Sequence, residues 1–210
     1  FLLGSGVAPE AITWIRPRDS WILDRAFIQP GKLAAGSARA AMDQSAAVMQ
    51  ANNADEVLLA AEAAGSIMRI DATVTPTMYR CATCTVKELN ALRTITDVVR
   101  MGHVTRITRD TDELEQGSIE TGPDVLHVDC SADGLARRPV QPVFDGNRIT
   151  LQSVRTCQQV FSAAFIGHVE AAYESVGEKN DLCQVVPHPD TSVDFLRTMR
   201  DSNRNAARWA

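Results

Sequence analysis

The sequence predicts an α/β fold in which short strands alternate with helices. Residues 36–64 are rich in Ala, Met and Leu, which is typical of helices. Between residues 97 and 130, β-branched segments are separated by turn residues, as in a β-meander. A further apolar stripe at helical spacing covers residues 154–173. A strand, helices, a meander, a hairpin and a long helix in this order indicate an α/β or α+β chain.

The composition narrows the class of protein before any motif is considered. The chain has 210 residues, of which 45% are hydrophobic and 22% are charged, so a folded globular protein is expected. A net charge of −5 argues against nucleic acid as a partner. No apolar run reaches the roughly 18 residues of a membrane helix, so we expect a cytoplasmic protein that does not bind a membrane.

The number of cysteines is odd. There are five of them: Cys81, Cys84, Cys130, Cys157 and Cys183. An odd count in a chain of this length excludes a complete disulfide framework of the secreted kind, so reduced thiols are expected.

The first half of the chain predicts one strand and three helices. Residues 11–15 are β-branched and aromatic and follow a turn, which favours a strand that ends at the Arg-Pro-Arg-Asp run of residues 16–19. The helical stretch 36–64 is broken at Asn52 and Asn53 and closed by Gly65. A capping box from Thr85 to Glu88 predicts a short helix over residues 86–95.

The β-rich stretch comes next. Its segments predict strands at residues 97–101, 103–108, 118–121 and 125–130, the last of them buried. A turn at Gly102 and the polar run 109–116 separate these strands. The turn residues Asp145, Gly146 and Asn147 predict a hairpin.

Two helices are expected at the carboxyl end. In the helix predicted at residues 154–173, His168 lies on the apolar stripe and is interpreted as a hydrogen-bonded core histidine, as is His127 in the strand 125–130. Gly167 suggests close packing against another layer. Cys157 and His168 would lie about 16 Å apart on one helix, too far to share a proton. A last helix, 193–208, is polar on most faces and is expected at the surface.

Two short motifs are given structural interpretations. The Gly4-Ser5-Gly6 run lacks a preceding strand and has Pro9 where a dinucleotide fingerprint needs glycine, so a left-handed helix cap is favoured. Cys81 and Cys84 have the spacing of a redox pair or of half a zinc site. Because there is no second C-x-x-C pair, two structural cysteines are expected and no metal site is predicted, with a thiol redox pair as the alternative.

Basic and aromatic residues cluster after the first predicted strand, namely Trp14, Arg16, Arg18, Trp21 and Arg25. Guanidinium groups at the end of a strand can bind a nucleotide phosphate, and an indole ring can stack on adenine. Salt bridges to Asp19 and Asp24 explain the same arginines equally well. The residues by themselves leave both interpretations open.

Three stretches resemble a known family. These are the Trp-Ile-Arg-Pro-Arg-Asp-Ser-Trp string at residues 14–21, the Val-Asp-Cys-Ser-Ala-Asp-Gly-Leu string at residues 128–135, and residues 152–170. They resemble bacterial FAD- and NAD(P)-binding oxidoreductases, distantly similar to flavin-containing monooxygenases, over nearly the whole chain. The resemblance implies a partial Rossmann-like architecture with two dinucleotide-binding domains, a helical insertion and a β-meander. It implies that residues 1–124 are the remainder of an NAD(P)-binding domain with the helical insertion. Residues 125–210 would be the C-terminal part of the chain, which returns to the FAD-binding domain.

The resemblance also implies positions for the cofactors. Six residues are implicated: Arg16 and Arg18 at the adenosine phosphate, and Ser131, Asp133, Gly134 and Gln152 near the flavin. Both glycine-rich nucleotide loops of the family are absent, so no catalytic residue is assigned and this chain by itself is expected to be inactive. We therefore expect a C-terminal part of a larger flavoenzyme.

The implied reaction transfers a hydride from NAD(P)H to FAD, and onward to oxygen or a small-molecule substrate. The alternative from another class is a non-catalytic module in which residues 36–64 form a protein interaction surface, for instance that of a homodimer.

Overall fold

The computed structural model describes residues 1–29, 31–132 and 138–210, with only the backbone of Leu33. In this part of the chain six α-helices are present: α1 (Ala34–Gln50), α2 (Ala54–Ala63), α3 (Val86–Leu92), α4 (Gln159–Ala172), α5 (Val176–Leu182) and α6 (Ser192–Trp209).

The strands are short and form several small sheets. They are β1 (Trp14–Ile15), β2 (Ser20–Asp24), β3 (Ile67–Met68), β4 (Met78–Cys84), β5 (Val98–Val99), β6 (Val104–Ile107), β7 (Thr111–Leu114), β8 (Gly117–Glu120), β9 (Phe144–Asp145) and β10 (Arg148–Ile149). β1 pairs with β5 in parallel, and β9 pairs with β10 as an antiparallel hairpin. The orders β3-β2-β4 and β6-β7-β8 form two three-stranded sheets. The predicted mixture of α and β structure is confirmed.

The contacts divide the chain into two compact units. The first unit contains residues 1–78 and 82–132, and the second contains residues 79–81 together with the described residues from 138 onward. Ile22, Met68 and Leu89 form a buried cluster in the first unit. In the second unit the core cluster is larger and consists of Val143, Phe144, Val154, Ile166, Val169 and Cys183.

The helices of the first unit have the predicted caps, although α1 begins at Ala34 instead of residue 36 and α3 ends at Leu92 instead of residue 95. Asn53 is the N-cap of α2 and accepts a hydrogen bond from the Glu56 N–H, which fixes the break between α1 and α2. Gly65 follows α2 with a φ of 84°, a left-handed conformation that glycine adopts at little cost. The capping box between Thr85 and Glu88 is present at α3. Gly6 likewise ends a short 3₁₀ helix with a φ of 88°.

The strand predictions for the first unit are partly wrong. Residues 125–130, predicted as a buried strand, are exposed and have no strand assignment. β7 lies instead in the polar run 109–116, with Asp112 and Leu114 buried and their neighbours less so. Alternation of burial defines this strand, whereas apolar composition by itself does not make a strand without a pairing partner. β2, which contains the fully buried Trp21, was also not predicted.

Two expectations about α4 are wrong. The helix begins at Gln159 instead of residue 154, and its buried face contains Ser162, Ile166 and Val169. His168, expected in the core, is exposed because it lies about 100° around the helix from Val169. Gly167 is also exposed, and a Cβ at this position would meet nothing within 4 Å, so no close packing requires the glycine.

α6 is more buried than its polar sequence suggests. The predicted surface helix turns one face inward, on which Phe195, Thr198, Ser202 and Asn205 are buried. The hairpin β9–β10 is confirmed, with Gly146 at a φ of 55° in its turn. Throughout the described residues, every helix falls short of the length or apolar content needed to cross a bilayer.

Candidate ligand cleft

A cleft of about 470 Å³ lies within the second unit. This volume is in the range of sites that hold drug-sized ligands or parts of cofactors. Apolar side chains such as Leu151 and Val185 contribute to its walls, and Gln152, Ser153 and His188 provide polar groups. The combination of apolar walls with a few converging polar groups is what a ligand site requires.

The polar part of the cleft is centred on His188. The Nε2 atom of His188 is 3.3 Å from the Ser153 Oγ and 3.3 Å from the Gln159 Nε2. The Nδ1 atom is buried and has no hydrogen-bond partner among the described residues. Burial, helped by the positive charge of Arg80, lowers the pKa of His188. The imidazole is therefore neutral near pH 7 and can accept or donate a hydrogen bond.

Hydrogen bonds to backbone carbonyls hold the cleft walls together. The Val186 N–H donates to the Ser153 carbonyl at 2.7 Å, which joins the segment before α4 to the segment before α6. The Gln152 side chain donates to the Gln141 carbonyl at 2.7 Å. Gln152 therefore lines the cleft and also binds the neighbouring segment at residue 141.

α6 fixes the same segments from its polar buried face. The Thr198 hydroxyl donates to the Pro187 carbonyl at 3.3 Å, and the Ser202 Oγ accepts from the Thr156 N–H at 2.8 Å. Asn205 donates to the carbonyls of Val154 and Gln184 at 2.7 and 2.6 Å. Sequence reasoning missed these three residues of α6, although small polar residues at spacings of four and three on one helical face were a visible signal.

The charges around the cleft are unevenly paired. Asp194 caps α6 and pairs with Arg197 at 3.2 Å, and Asp201 pairs with Arg200 at 2.8 Å. Arg138, which also lines the cleft, forms no salt bridge with any residue in the described ranges. The cleft therefore contains a cation that is available to an anionic ligand.

The six implicated cofactor residues are not brought to one place. Gln152 lines the cleft. Ser131 belongs to the first unit, is exposed, and donates from its N–H and hydroxyl to the Asp129 carboxylate. Asp133 and Gly134 lie outside the described residues.

Arg16 and Arg18 lie in the first unit. The Arg16 guanidinium is 3.0 Å from the Asp19 carboxylate and 4.8 Å from the centre of the Trp14 ring. Burial lowers the pKa of Arg16, which remains charged because arginine starts so far above neutral pH. The Arg18 guanidinium donates to the Thr77 carbonyl at 2.9 Å. The salt bridge therefore accounts for the Nη2 of Arg16, whereas its buried Nε and Nη1 have no hydrogen-bond partner among the described residues, and a phosphate contact stays a prediction.

The cysteines pair differently from the expectation. Cys81 and Cys157 form a disulfide within the second unit, with Cα atoms 6.4 Å apart, so the expectation of reduced thiols throughout is wrong. Cys84 is free, and burial together with the nearby Glu88 carboxylate raises its pKa. Cys81 and Cys84 of β4 therefore do not form the pair that their spacing suggests.

The chain is similar to mycobacterial proteins. It is 49% identical over all 210 residues to the uncharacterized protein Rv2000 of Mycobacterium tuberculosis and to the uncharacterized protein Mb2023 of Mycobacterium bovis. It spans 39% of the length of these relatives. No family model matches the chain. No solved structure matches it either.

Proposed function

We propose that this chain is part of an oxidoreductase that transfers a hydride from NAD(P)H to FAD, and that the cleft of the second unit binds part of the anionic cofactor. The observation that carries the proposal is the position of Gln152. This residue, implicated near the flavin by the family resemblance, lines the same cleft as Arg138, a cation without a salt bridge to any described residue. A dinucleotide carries phosphates that such a guanidinium recognises.

The residues of the cleft would bind and orient the cofactor. Arg138 would form charge-assisted hydrogen bonds to a phosphate oxygen. Leu151 and Val185 provide apolar surface for a ring, and the neutral His188 and Ser153 provide hydrogen bonds to its polar edge. The flavin itself supplies the hydride chemistry when bound. This division agrees with the absence of an assigned acid, base or nucleophile.

The finer architecture is part of the same proposal. We take the first unit as the remainder of a Rossmann-like NAD(P)-binding domain. The parallel pairing of Trp14 with Val98 and of Ile15 with Val99 supports this, because dinucleotide-binding sheets are built from parallel strands. Arg16 follows β1 directly, as a residue that recognises the adenosine phosphate would.

Binding of FAD to the purified chain tests the role of the cleft. Arg138→Gln should weaken FAD binding at least tenfold, because a charge-assisted hydrogen bond contributes roughly 1.5–3 kcal/mol. Arg148→Gln is the matched control, since Arg148 is an exposed arginine of the same unit that pairs with Asp145 and does not line the cleft. For Gln152→Ala, the matched control is Gln141→Ala. This control keeps the backbone N–H and carbonyl of residue 141, which are the groups of that residue that the Gln152 side chain contacts.

The reaction is tested on the full-length Mycobacterium tuberculosis relative. The protein reconstituted with FAD should show flavin absorbance that bleaches when NADPH is added. A colourless protein, or a bound flavin that neither NADH nor NADPH reduces, would exclude the oxidoreductase. Equal FAD affinity of Arg138→Gln and Arg148→Gln would exclude the cleft as the site while leaving the reaction open.

A second candidate function is a dimerisation module, favoured by apolar exposure on α1. Met42 and Met49 are 71% and 87% exposed, and they lie seven residues apart on the same face of the helix. The candidate partner is a second copy of the chain. Light scattering during gel filtration should then give a dimer that Met42→Glu with Met49→Glu dissociates, whereas Gln50→Glu, at an exposed polar position of the same helix, does not. A monomer at every concentration would rule this function out.

A further inference from the structure

The disulfide between Cys81 and Cys157 joins positions 76 residues apart in sequence. Cys81 belongs to the three-residue segment Tyr79–Cys81, which is part of the second unit although the residues on both sides belong to the first. The segment has further contacts in the second unit: the Tyr79 N–H donates to the Asp190 carbonyl at 2.9 Å, and the Tyr79 ring packs edge-on against Phe195 at 4.8 Å. The disulfide is therefore one of several attachments of this segment.

The backbone beside both sulfur atoms is strained. Cys81 has a φ of 58° and Thr156, next to Cys157, has a φ of 39°. Among the described residues these are the positive φ values at positions other than glycine, and β-branched Thr156 is a particularly unfavourable residue there. Both cysteines are half-buried, so a reductant can reach the bond. Disulfides that are accessible or held by strained backbone are the ones that are readily reduced.

Cys157 is located in the loop of residues 154–158, which connects two parts of the cleft. Ser153 precedes the loop and Gln159 follows it, and both side chains approach His188. Within the loop, the Thr156 N–H donates to Ser202 and the Gln158 N–H donates to the Arg155 carbonyl. The disulfide thus holds the strained loop from which both cleft residues extend.

The remaining thiols do not compete for this bond. Burial raises the pKa of Cys183 to about 11, and burial with the charge of Glu88 raises that of Cys84. Thiols with raised pKa values contain little thiolate and attack disulfides slowly. Cys130 is exposed and is the one to remove in an experiment.

We propose that Cys81 and Cys157 are a reversible thiol–disulfide site, reduced by a dithiol, and that reduction releases the loop of residues 154–158 beside the cleft. A thiolate of the dithiol attacks one sulfur of the pair, forming a mixed disulfide and freeing the other cysteine as a thiolate. The second thiol of the reductant then closes its own disulfide and frees the remaining cysteine. Two electrons and two protons pass from the dithiol to the protein, and an external disulfide reverses the reaction.

The test uses the full chain with Cys130→Ser, titrated with dithiothreitol under native conditions. Alkylation followed by mass spectrometry should show two new thiols, at Cys81 and Cys157, while circular dichroism shows that the protein stays folded. Hydrogen exchange of the Thr156 and Gln158 amides should become at least tenfold faster after reduction and return on reoxidation. The same titration on Cys84→Ser should give the same two thiols.

Three results would overturn the proposal. The pair could become reducible only when the protein unfolds, which is the behaviour of a purely structural disulfide. Reduction could occur in the folded protein without any change in exchange at Thr156 and Gln158, which would remove the link to the loop. Peptide mapping could show Cys81 bonded to Cys84 instead of Cys157. None of these readouts involves FAD, so the outcome is independent of the proposed oxidoreductase.

Discussion

Arg16 and Asp19 form a buried ion pair, with 3.0 Å between the Arg16 Nη2 and the Asp19 Oδ1, and side chains only 6% and 8% exposed. Arg100 binds the same carboxylate at 2.8 Å and also contacts Asp71 at 2.9 Å. Two cations therefore share the Asp19 carboxylate. Asp19 neutralises a guanidinium that could not remain buried by itself.

Replacing Asp19 should destabilise the protein strongly. Asp19→Asn leaves Arg16 as a buried charge without its partner, and breaking a buried pair in this way costs about 3–5 kcal/mol. The free energy of unfolding from urea titration measures the effect. Asp43→Asn is the control, because Asp43 forms an i,i+4 pair with Arg39, which is 73% exposed, and such pairs contribute about 0.3–0.5 kcal/mol. Equal losses in the two variants would contradict the buried network.

Asn205 should be as important to the second unit as an apolar core residue. It is 1% exposed and its amide donates to two carbonyls, so Asn205→Ala leaves buried acceptors unpaired at a cost of about 1–3 kcal/mol. Asn203→Ala changes the same residue type at an exposed position of α6 and should cost less than about 0.5 kcal/mol. Thermal unfolding compares the variants, and a loss confined to Asn203→Ala would disprove the role of Asn205.

The Thr85 cap should contribute to stability in a measurable way. Thr85→Ala removes the hydroxyl that accepts from the Glu88 N–H and should cost about 1 kcal/mol. Lys87→Ala, at an exposed position in the same helix, tests whether any truncation in α3 has this effect. We expect urea titration to show a clear loss for Thr85→Ala and little change for Lys87→Ala.

Glu88 should contribute to the acid sensitivity of the fold. Hydrogen bonds from the Thr85 N–H and hydroxyl lower the pKa of Glu88. A lowered folded pKa means that this stabilisation is fully present above the ordinary glutamate pKa of about 4.3 and is lost as the pH falls through the lower folded value. When the free energy of unfolding is measured against pH, Glu88→Gln should lose less stability at acidic pH than the original protein. An unchanged loss of stability at acidic pH would show that the hydrogen bonds from Thr85 do not favour the charged form of Glu88.

His188, although a base, should also lose its contribution to stability as the pH falls. Its lowered pKa means that the folded state binds fewer protons than the unfolded state as the pH falls below about 6.5. The contribution of neutral His188 is fully present above that pH and declines between it and the folded pKa. Proton NMR, assigned with His188→Gln, should give a pKa below 6.5, and Arg80→Gln should raise it. Titration at 6.5 or above would contradict the burial of this group.

Local signals in the sequence predicted local structure well. Asn53, Gly65 and the Thr85–Glu88 box act through hydrogen bonds between residues a few positions apart, so they can be recognised without knowing the fold. The hairpin turn at Gly146 is of the same kind. Strands were harder, because a strand is defined by the partner it pairs with: β7 has partners despite its polar sequence, whereas residues 125–130 have none among the described residues.

The candidate site was predicted only in part. The family resemblance implicated Gln152, which does line the cleft. His188 and Ser153 were not singled out, because they are far apart in sequence and only the packing of the second unit brings them together. The disulfide was missed for the same reason, since Cys81 and Cys157 are 76 residues apart in sequence and the nearer Cys84 suggested a different pair.

By itself, the sequence determined the capped starts of α2 and α3, the turns and the mixed α and β class of this protein, because capping and turn chemistry act within a few residues. Tertiary structure decided the partner of Cys157, the burial of Arg16 and the polar inner face of α6. These depend on long-range contacts, in which the energy of a buried polar group is set by the neighbours that satisfy it. The free donors and acceptors of a chain are visible in its sequence, but their partners become known only in the folded protein.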